Sequence, residues 1–206
     1  MTSATTSTDD VFINCPFDPE YAPSFRAIIV AILICGFRPR SAQELDDAGH
    51  TRIDKIERII EECRYGIHDL SRTELDDKHQ LPRFNMPLEL GLFLGAKRYG
   101  GKHQKLKRML VLDIEQFRYR MFISDLAGID IHEHRGDPIL ALREVRDWLA
   151  NVSRRELPSA DRVERIYKAF LTDLPALADA LDFDPENIPY VDFMRIVARW
   201  LIEQPS

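Results

Sequence analysis

The chain has 206 residues, of which 45% are hydrophobic and 30% are charged, a composition typical of one globular core with a small appendage. Its formal net charge of −6 argues against a nucleic-acid-binding protein, because that class normally carries a basic surplus. Three cysteines without CxxC spacing predict neither a disulfide framework nor a zinc site and fit a cytoplasmic protein. The longest apolar run, residues 27–35, is too short to span a bilayer, so we expect a soluble chain without a membrane partner.

Strand and helix signals alternate along most of the chain. Residues 1–9, rich in Ser and Thr, are expected to be a disordered leader. Apolar runs predict strands at 11–15, 38–42, 65–70, 108–114 and 128–132. Helical spacing predicts helices at 24–34, 52–63, 86–99 and 137–151, the first of them capped by Ser24. The alternation predicts an α/β domain over 10–153: a Rossmann-like (flavodoxin-like) parallel sheet with helices on both faces.

The pattern changes after residue 153. Residues 160–181 and 188–203 predict two helices with no strand between them, so 154–206 is expected to be a helical C-terminal extension. Pro175 lies inside the first helix and predicts a kink or a split. We expect the extension to pack on the sheet domain or on a second subunit.

Glu89 is the one charged residue in the stretch 84–96, on an otherwise apolar helix whose composition implies burial. Pro87 is a helix-start signal with Asn85 or Met86 as the cap, so Glu89 is expected in the first turn. There the helix dipole favours an anion by roughly 0.3–1 kcal/mol, which would keep a shielded carboxylate ionised. Such a group suits stabilisation of an oxocarbenium-like sugar cation or attack on an anomeric carbon. The alternative is a helix-start glutamate that bonds a nearby amide or arginine.

Residues that follow the strands of a parallel sheet gather at its carboxyl edge, where such sheets bind ligands. Asp69, Ser71 and Arg72 follow the third predicted strand and could hold ribose hydroxyls and a phosphate. The alternative is a turn in which Asp69 and Ser71 cap their own backbone. Asn14 and Phe17 follow the first strand and are expected to line the pocket, with Phe17 stacking on a base or nicotinamide.

Other motifs are absent or have a competing structural explanation. Neither GxGxxG nor GxxxxGK[ST] follows the first strand, which argues against a dinucleotide dehydrogenase and a P-loop NTPase. Cys15 has no indicated histidine partner and is interpreted as structural. His132 and His134 could share a strand face and bind a metal, but without a third ligand a surface pair is favoured and no metal is predicted. The basic cluster at 102–108 is interpreted as a solvated loop.

Taken in this order, the segments resemble the superfamily that joins TIR domains with nucleoside 2-deoxyribosyltransferases, over about residues 10–150. The resemblance is carried by the opening strand 11–17, by Asp69-Leu70-Ser71, and by Pro87-Leu88-Glu89-Leu90-Gly91. In the transferases the corresponding glutamate attacks the anomeric carbon, and in catalytic TIR domains it supports cleavage of the nicotinamide–ribose bond of NAD. The resemblance therefore implies that Glu89 is catalytic. Asn85 and Met86 stand where both branches carry other residues, and they complete the expected substrate contacts.

The expected function is a hydrolase, an N-glycosidase that acts on NAD or a related nucleotide without a metal or a cofactor. The resemblance is greatest to bacterial TIR-like proteins of antiphage defence, and it implies a homo-oligomer in which the extension serves assembly. Two alternatives stay open: a non-catalytic nucleotide-sensing or interaction module, and a nucleoside deoxyribosyltransferase.

Overall fold

The computed structural model describes residues 7–44, 49–75 and 81–204, and at its centre is a five-stranded sheet. The strands are β1 (Ser7–Asn14), β2 (Arg38–Ser41), β3 (Cys63–Asp69), β4 (Arg108–Asp113) and β5 (Ile131–Glu133). Their order is β2-β1-β3-β4-β5, and every neighbouring pair is parallel. The predicted α/β architecture with a flavodoxin-like strand order is confirmed.

The described residues form six α-helices: α1 (Ala22–Ile34), α2 (Arg52–Glu62), α3 (Asn85–Tyr99), α4 (Pro138–Ser153), α5 (Ala160–Asp179) and α6 (Tyr190–Glu203). The two-residue alternation along β1 distributes the core between the sheet faces. Val11 and Ile13 pack with α1 and α4 on one face, whereas Phe12 packs with α2 and α3 on the other. Within the described part of the chain, no helix has the length and apolarity needed to cross a bilayer.

The helical extension shares the core of the sheet domain. Buried side chains of α5 and α6 belong to the same apolar cluster as those of α1 and α4. Tyr190 of α6 stacks on Phe25 of α1 with ring centroids 5.8 Å apart, and Phe170 of α5 packs edge-on against Trp200 of α6. The extension was expected to pack on the sheet domain or on a second subunit, and the structure shows that it packs on the sheet domain.

Several element boundaries differ from the predictions. β1 begins at Ser7, so residues 7–9 of the expected leader belong to the sheet, while residues 1–6 lie outside the described residues. α1 begins at Ala22 instead of after a Ser24 cap, because a proline in its first turn already favours the helical φ. α5 continues as one helix through Pro175 instead of splitting. β5 lies at 131–133, later than the predicted 128–132.

The interpretation of residues 102–108 as a solvated loop is wrong for Lys107. Its side chain is fully buried, and Nζ donates hydrogen bonds to the carbonyl oxygens of Ile60 and Cys63. These carbonyls lie at the C-terminal end of α2, where the orphan acceptors of a helix need donors. Burial lowers the pKa of Lys107 to about 8. The charge therefore holds α2 against the sheet instead of facing solvent.

Candidate functional site

The candidate site lies at the carboxyl edge of the sheet, where β1 and β3 are neighbours. The chain leaves β1 towards β2 on one side and leaves β3 towards β4 on the other, so this is the topological switch point of the sheet. Crevices at such points are the usual ligand sites of open α/β sheets. Asn14 and His68, the register partners on the two strands, mark the position.

Asn14 ties the two strands to α3. Its Nδ2 donates to the Met86 carbonyl oxygen at 2.8 Å and lies 3.1 Å from His68 Nδ1. Burial, with a contribution from Lys107, lowers the pKa of His68 to about 3, so the imidazole is neutral and accepts from Asn14. The start of α3 is thereby fixed to the sheet edge. Asn14 itself is only 1% exposed, so its role is to hold the two strands and the start of α3 together.

Glu89 occupies the second turn of α3, not the first turn that the sequence suggested. α3 begins at Asn85 with Phe84 as its N-cap, so neither Asn85 nor Met86 caps the helix and Pro87 is its third residue. Two further expectations also change. The helix is buried along one face only, with Leu88 55% exposed. Because the dipole effect is concentrated in the first turn, it gives the Glu89 carboxylate little help.

The Glu89 carboxylate is buried without hydrogen-bond donors among the residues that the structure describes. The side chain is 7% exposed, and its nearest charged group is the Arg52 guanidinium, with Nη2 3.9 Å from Oε1. Burial raises the pKa of Glu89 to about 7, and the Arg52 charge opposes that rise. Buried carboxylates with a purely structural role normally accept several hydrogen bonds. The carboxylate has instead one distant cation as its protein partner, and it changes charge near neutral pH.

Arg52 is a site residue that the sequence did not reveal. It is the first residue of α2, 58% exposed at its side chain, and its guanidinium carbon lies 5.8 Å from the centroid of the Phe17 ring. One cation therefore contacts the aromatic ring expected to line the pocket and also faces Glu89. The spacing of charges along the chain gave no signal, because the contact joins the starts of two different helices.

Asp69 lies on the opposite side of the sheet edge and is closed to solvent. Oδ1 accepts from the Ser71 backbone N–H at 2.8 Å, and Oδ2 accepts from the Tyr21 hydroxyl at 2.5 Å and lies 3.0 Å from His134 Nε2. Burial alone would raise the pKa of Asp69, but these partners hold it below the ordinary value. Asp69 thus joins β3 to the start of α1 and the loop before α4, and it does not share an open pocket with Glu89.

The other residues that the sequence predicted as substrate contacts differ in burial and in their protein partners. The Ser71 hydroxyl is buried and has no partner among the described residues. Arg72 is engaged on the protein, with Nη1 2.6 Å from Glu20 Oε2 and Nε 3.6 Å from Asp18 Oδ2. Asn85 is exposed at the start of α3. Met86 is buried and contributes the carbonyl oxygen that holds Asn14. The structure brings together Asn14, Phe17, Met86 and Glu89, with Arg52 added.

Cys15 and the histidine pair His132 and His134 lie in surroundings that suit a structural role. Burial raises the pKa of the Cys15 thiol well above its ordinary value, and the neighbouring carboxylates of Asp69 and Glu89 raise it further. His132 and His134 do not share a site: His132 Nδ1 lies 2.5 Å from Glu144 Oε2, whereas His134 is buried against Asp69. Over residues 7–44, 49–75 and 81–204, no group of three or more His, Cys, Asp or Glu side chains could hold a metal ion.

Comparison of the chain with protein-family models, with characterised proteins and with solved structures finds no significant match.

Proposed function

We propose that the chain is an N-glycosidase that cleaves the nicotinamide–ribose bond of NAD or a related nucleotide. The observation that carries the proposal is Glu89, a buried carboxylate without described hydrogen-bond donors beside the switch point of a parallel sheet. Burying a carboxylate without protein donors costs folding free energy, and strongly perturbed pKa values cluster at functional sites. The resemblance of the Glu89 segment to the glutamate helix of TIR-like and transferase enzymes supports the same assignment.

In the proposed reaction, the bond between the nicotinamide nitrogen and the anomeric carbon breaks, and nicotinamide leaves with the bonding electron pair. The positive charge that develops on the ribose is stabilised by ionised Glu89 in a setting of low dielectric constant. Water then adds to the anomeric carbon and loses a proton to solvent, which yields ribose with a free hydroxyl. Because the pKa of Glu89 is about 7, the active carboxylate form increases as the pH rises through neutrality.

Substrate contacts are assigned to the residues around Glu89. Arg52 is half exposed and makes no short ion pair with a described residue, so it can bind the pyrophosphate. Phe17, already in contact with the Arg52 guanidinium, offers its ring to one of the two bases. Asp69 and Arg72 are engaged with protein partners, so the phosphate contact that the sequence suggested for Arg72 is assigned to Arg52.

A nucleotide-binding module without turnover is the second candidate. The observation that favours it is the same raised pKa, because a protonated Glu89 would donate a hydrogen bond to a ligand hydroxyl instead of stabilising a cation. Transfer of the ribosyl group to another base is a third outcome of the same site chemistry. Assembly into an oligomer and a role in antiphage defence rest on the resemblance alone.

These possibilities are separated by incubating the purified chain with NAD+ and measuring free nicotinamide by chromatography, with and without an added pyridine base. A hydrolase releases nicotinamide and ADP-ribose at a rate that the base leaves unchanged. A transferase forms the base-exchanged dinucleotide. A binding module releases no nicotinamide but gives a saturable binding isotherm for NAD+, and that result would reject the glycosidase proposal.

A further inference from the structure

A cavity of about 430 Å³ opens beside the candidate site, between the β1–α1 segment and the segment that joins α5 to α6. Its first side is formed by residues 16–19 and Ala22, and its second side by residues 186–190. Its volume lies in the range of small-molecule pockets. The helical extension therefore does more than cover the core, because it supplies one wall of a pocket at the carboxyl edge of the sheet.

Aromatic rings form much of the cavity wall. Phe17, Phe25, Tyr190 and Phe193 all line it. Phe25 contacts Phe17 edge-on with centroids 5.3 Å apart and stacks on Tyr190 at 5.8 Å, so these three rings are in direct contact. Nucleobases stack on aromatic side chains, because every base has a flat π-face. The wall therefore fits a planar group such as a nucleobase better than an aliphatic chain.

Most charged groups of the cavity are engaged with protein partners. Asp18 already accepts from the Tyr21 backbone N–H and from Arg83 Nη1, so the exposed Glu186 brings the available carboxylate, while Arg26 is the cation among the described lining residues. The Arg26 guanidinium donates to the Glu186 carbonyl oxygen at 2.8 Å and lies over the Phe193 ring. This balance disfavours a phosphate inside the cavity. It favours a base with an exocyclic amine, which donates to a carboxylate, and adenine has that group.

Phe17 connects the cavity to Glu89. Its ring lines the cavity and contacts the Arg52 guanidinium, which in turn faces the Glu89 carboxylate. We infer that the cavity is a subsite for the adenine base of a dinucleotide whose other base reaches Glu89, with Arg52 holding the phosphates between them. This inference rests on the proposed function, and it names the substrate class as an adenine dinucleotide.

The test measures binding of adenosine to the full chain by isothermal titration calorimetry. Ala22 is half-buried at the cavity wall, so Ala22→Phe should fill part of the space and weaken adenosine binding roughly tenfold or more. The control Ala176→Phe, on an exposed position of α5 outside the cavity, should leave binding unchanged. Glu186→Lys, at an exposed position, supplies a second variant if Ala22→Phe does not fold. Inosine, which lacks the amine, should bind more weakly than adenosine.

Equal adenosine binding by the wild type and both cavity variants would overturn the subsite, as would equal binding of inosine and adenosine. Cleavage gives a second readout: Ala22→Phe should lower kcat/KM for NAD+ relative to nicotinamide mononucleotide by about tenfold. Adenosine binding that depends on the cavity without any NAD+ cleavage would support the subsite and reject the glycosidase. NAD+ cleavage with cavity-independent adenosine binding would reject the subsite alone.

Discussion

Glu89 should cost the protein stability at the pH where it is ionised. Its pKa is raised from 4.5 to about 7 in the fold, so the folded state binds the proton more tightly than the unfolded state. The penalty is absent below pH 4.5, grows between 4.5 and 7, and is complete above 7. Glu89→Gln should therefore raise the free energy of unfolding by about 1–3 kcal/mol at pH 8.

This prediction is checked by urea denaturation of wild type and Glu89→Gln at pH 4 and pH 8. The exposed residue Glu57 offers a matched control, because Glu57→Gln on α2 should change stability little at either pH. A Glu89→Gln variant that is less stable than wild type at pH 8 would show that the carboxylate is a structural partner, contrary to the functional interpretation.

Arg52 is expected to contribute to substrate binding and also to lower the pKa of Glu89. In Arg52→Ala, loss of a phosphate contact should raise KM for NAD+ by about tenfold and lower kcat less, since the contact is present in ground and transition states alike. Removing the cation should also move the pH midpoint of kcat upwards, because Arg52 opposes the raised pKa of Glu89. The control is Arg58→Ala, at an exposed residue of α2 that pairs with Glu62. Kinetics that match this control would remove Arg52 from the site.

At the scale of elements, α3 approaches β3 so closely that the strand needs a glycine at the contact. A Cβ atom on Gly66 would lie 2.7 Å from Cε2 of the buried Phe93 ring and 2.9 Å from His68 Nε2. Gly66→Ala should therefore displace α3 and lower the free energy of unfolding by about 1–3 kcal/mol. Because α3 carries Glu89, nicotinamide release should also fall.

Gly95→Ala on the same helix is the matched control for this measurement. A Cβ atom there meets nothing within 4 Å, so alanine should stabilise the helix by about 0.5–1 kcal/mol. Denaturation of the two variants in parallel decides the point. Equal stabilities for Gly66→Ala and wild type would contradict the tight α3–β3 packing.

The element order was predictable from the sequence because apolar periodicity reports which residues face a core. Boundaries were less predictable where short-range signals compete. Ser24 has the side chain of a cap, yet a proline in the first turn sets the start of α1 earlier. Pro175 lies in a helix that continues past it. Lys107 lies in a basic segment of the sequence, but the carbonyl oxygens that accept its hydrogen bonds belong to Ile60 and Cys63, which lie more than 40 positions earlier in the chain.

At the scale of the whole molecule, the C-terminal extension belongs to the folding unit of the sheet. Val163, Tyr167, Phe170, Phe193 and Trp200 are among its side chains buried in the common core. Each large side chain contributes roughly 1.5–3 kcal/mol on burial, so these five together are comparable to the roughly 5–15 kcal/mol stability of a typical domain. A chain that ends at Ser159 should therefore fail to fold cooperatively in circular dichroism melting.

A chain that ends at Glu203 keeps α6 whole and serves as the control. A chain ending at Ser159 that melts like it would show that the sheet domain folds alone, which would return the extension to the assembly role that the sequence suggested. Light scattering of the full chain tests the expected homo-oligomer separately.

The candidate site was only partly predictable. Glu89 could be identified because a single charged residue within an apolar helix is apparent from the sequence. Arg52 could not, since its contacts with Phe17 and Glu89 join segments 35 or more positions apart. Asp69 was expected in the pocket because it ends a strand. Strand ends predict the edge of the sheet but not its face, and the partners Tyr21 and His134 close Asp69 on the far side.

The most direct test of the central claim is nicotinamide release from NAD+ at pH 8 by wild type and Glu89→Gln in parallel. Glutamine keeps the shape of the side chain and removes the charge, so a cation-like transition state should lose several kcal/mol of stabilisation, about a hundredfold or more in rate. We expect release by the wild type and its loss in a variant that is at least as stable. Equal release by the two proteins would contradict it.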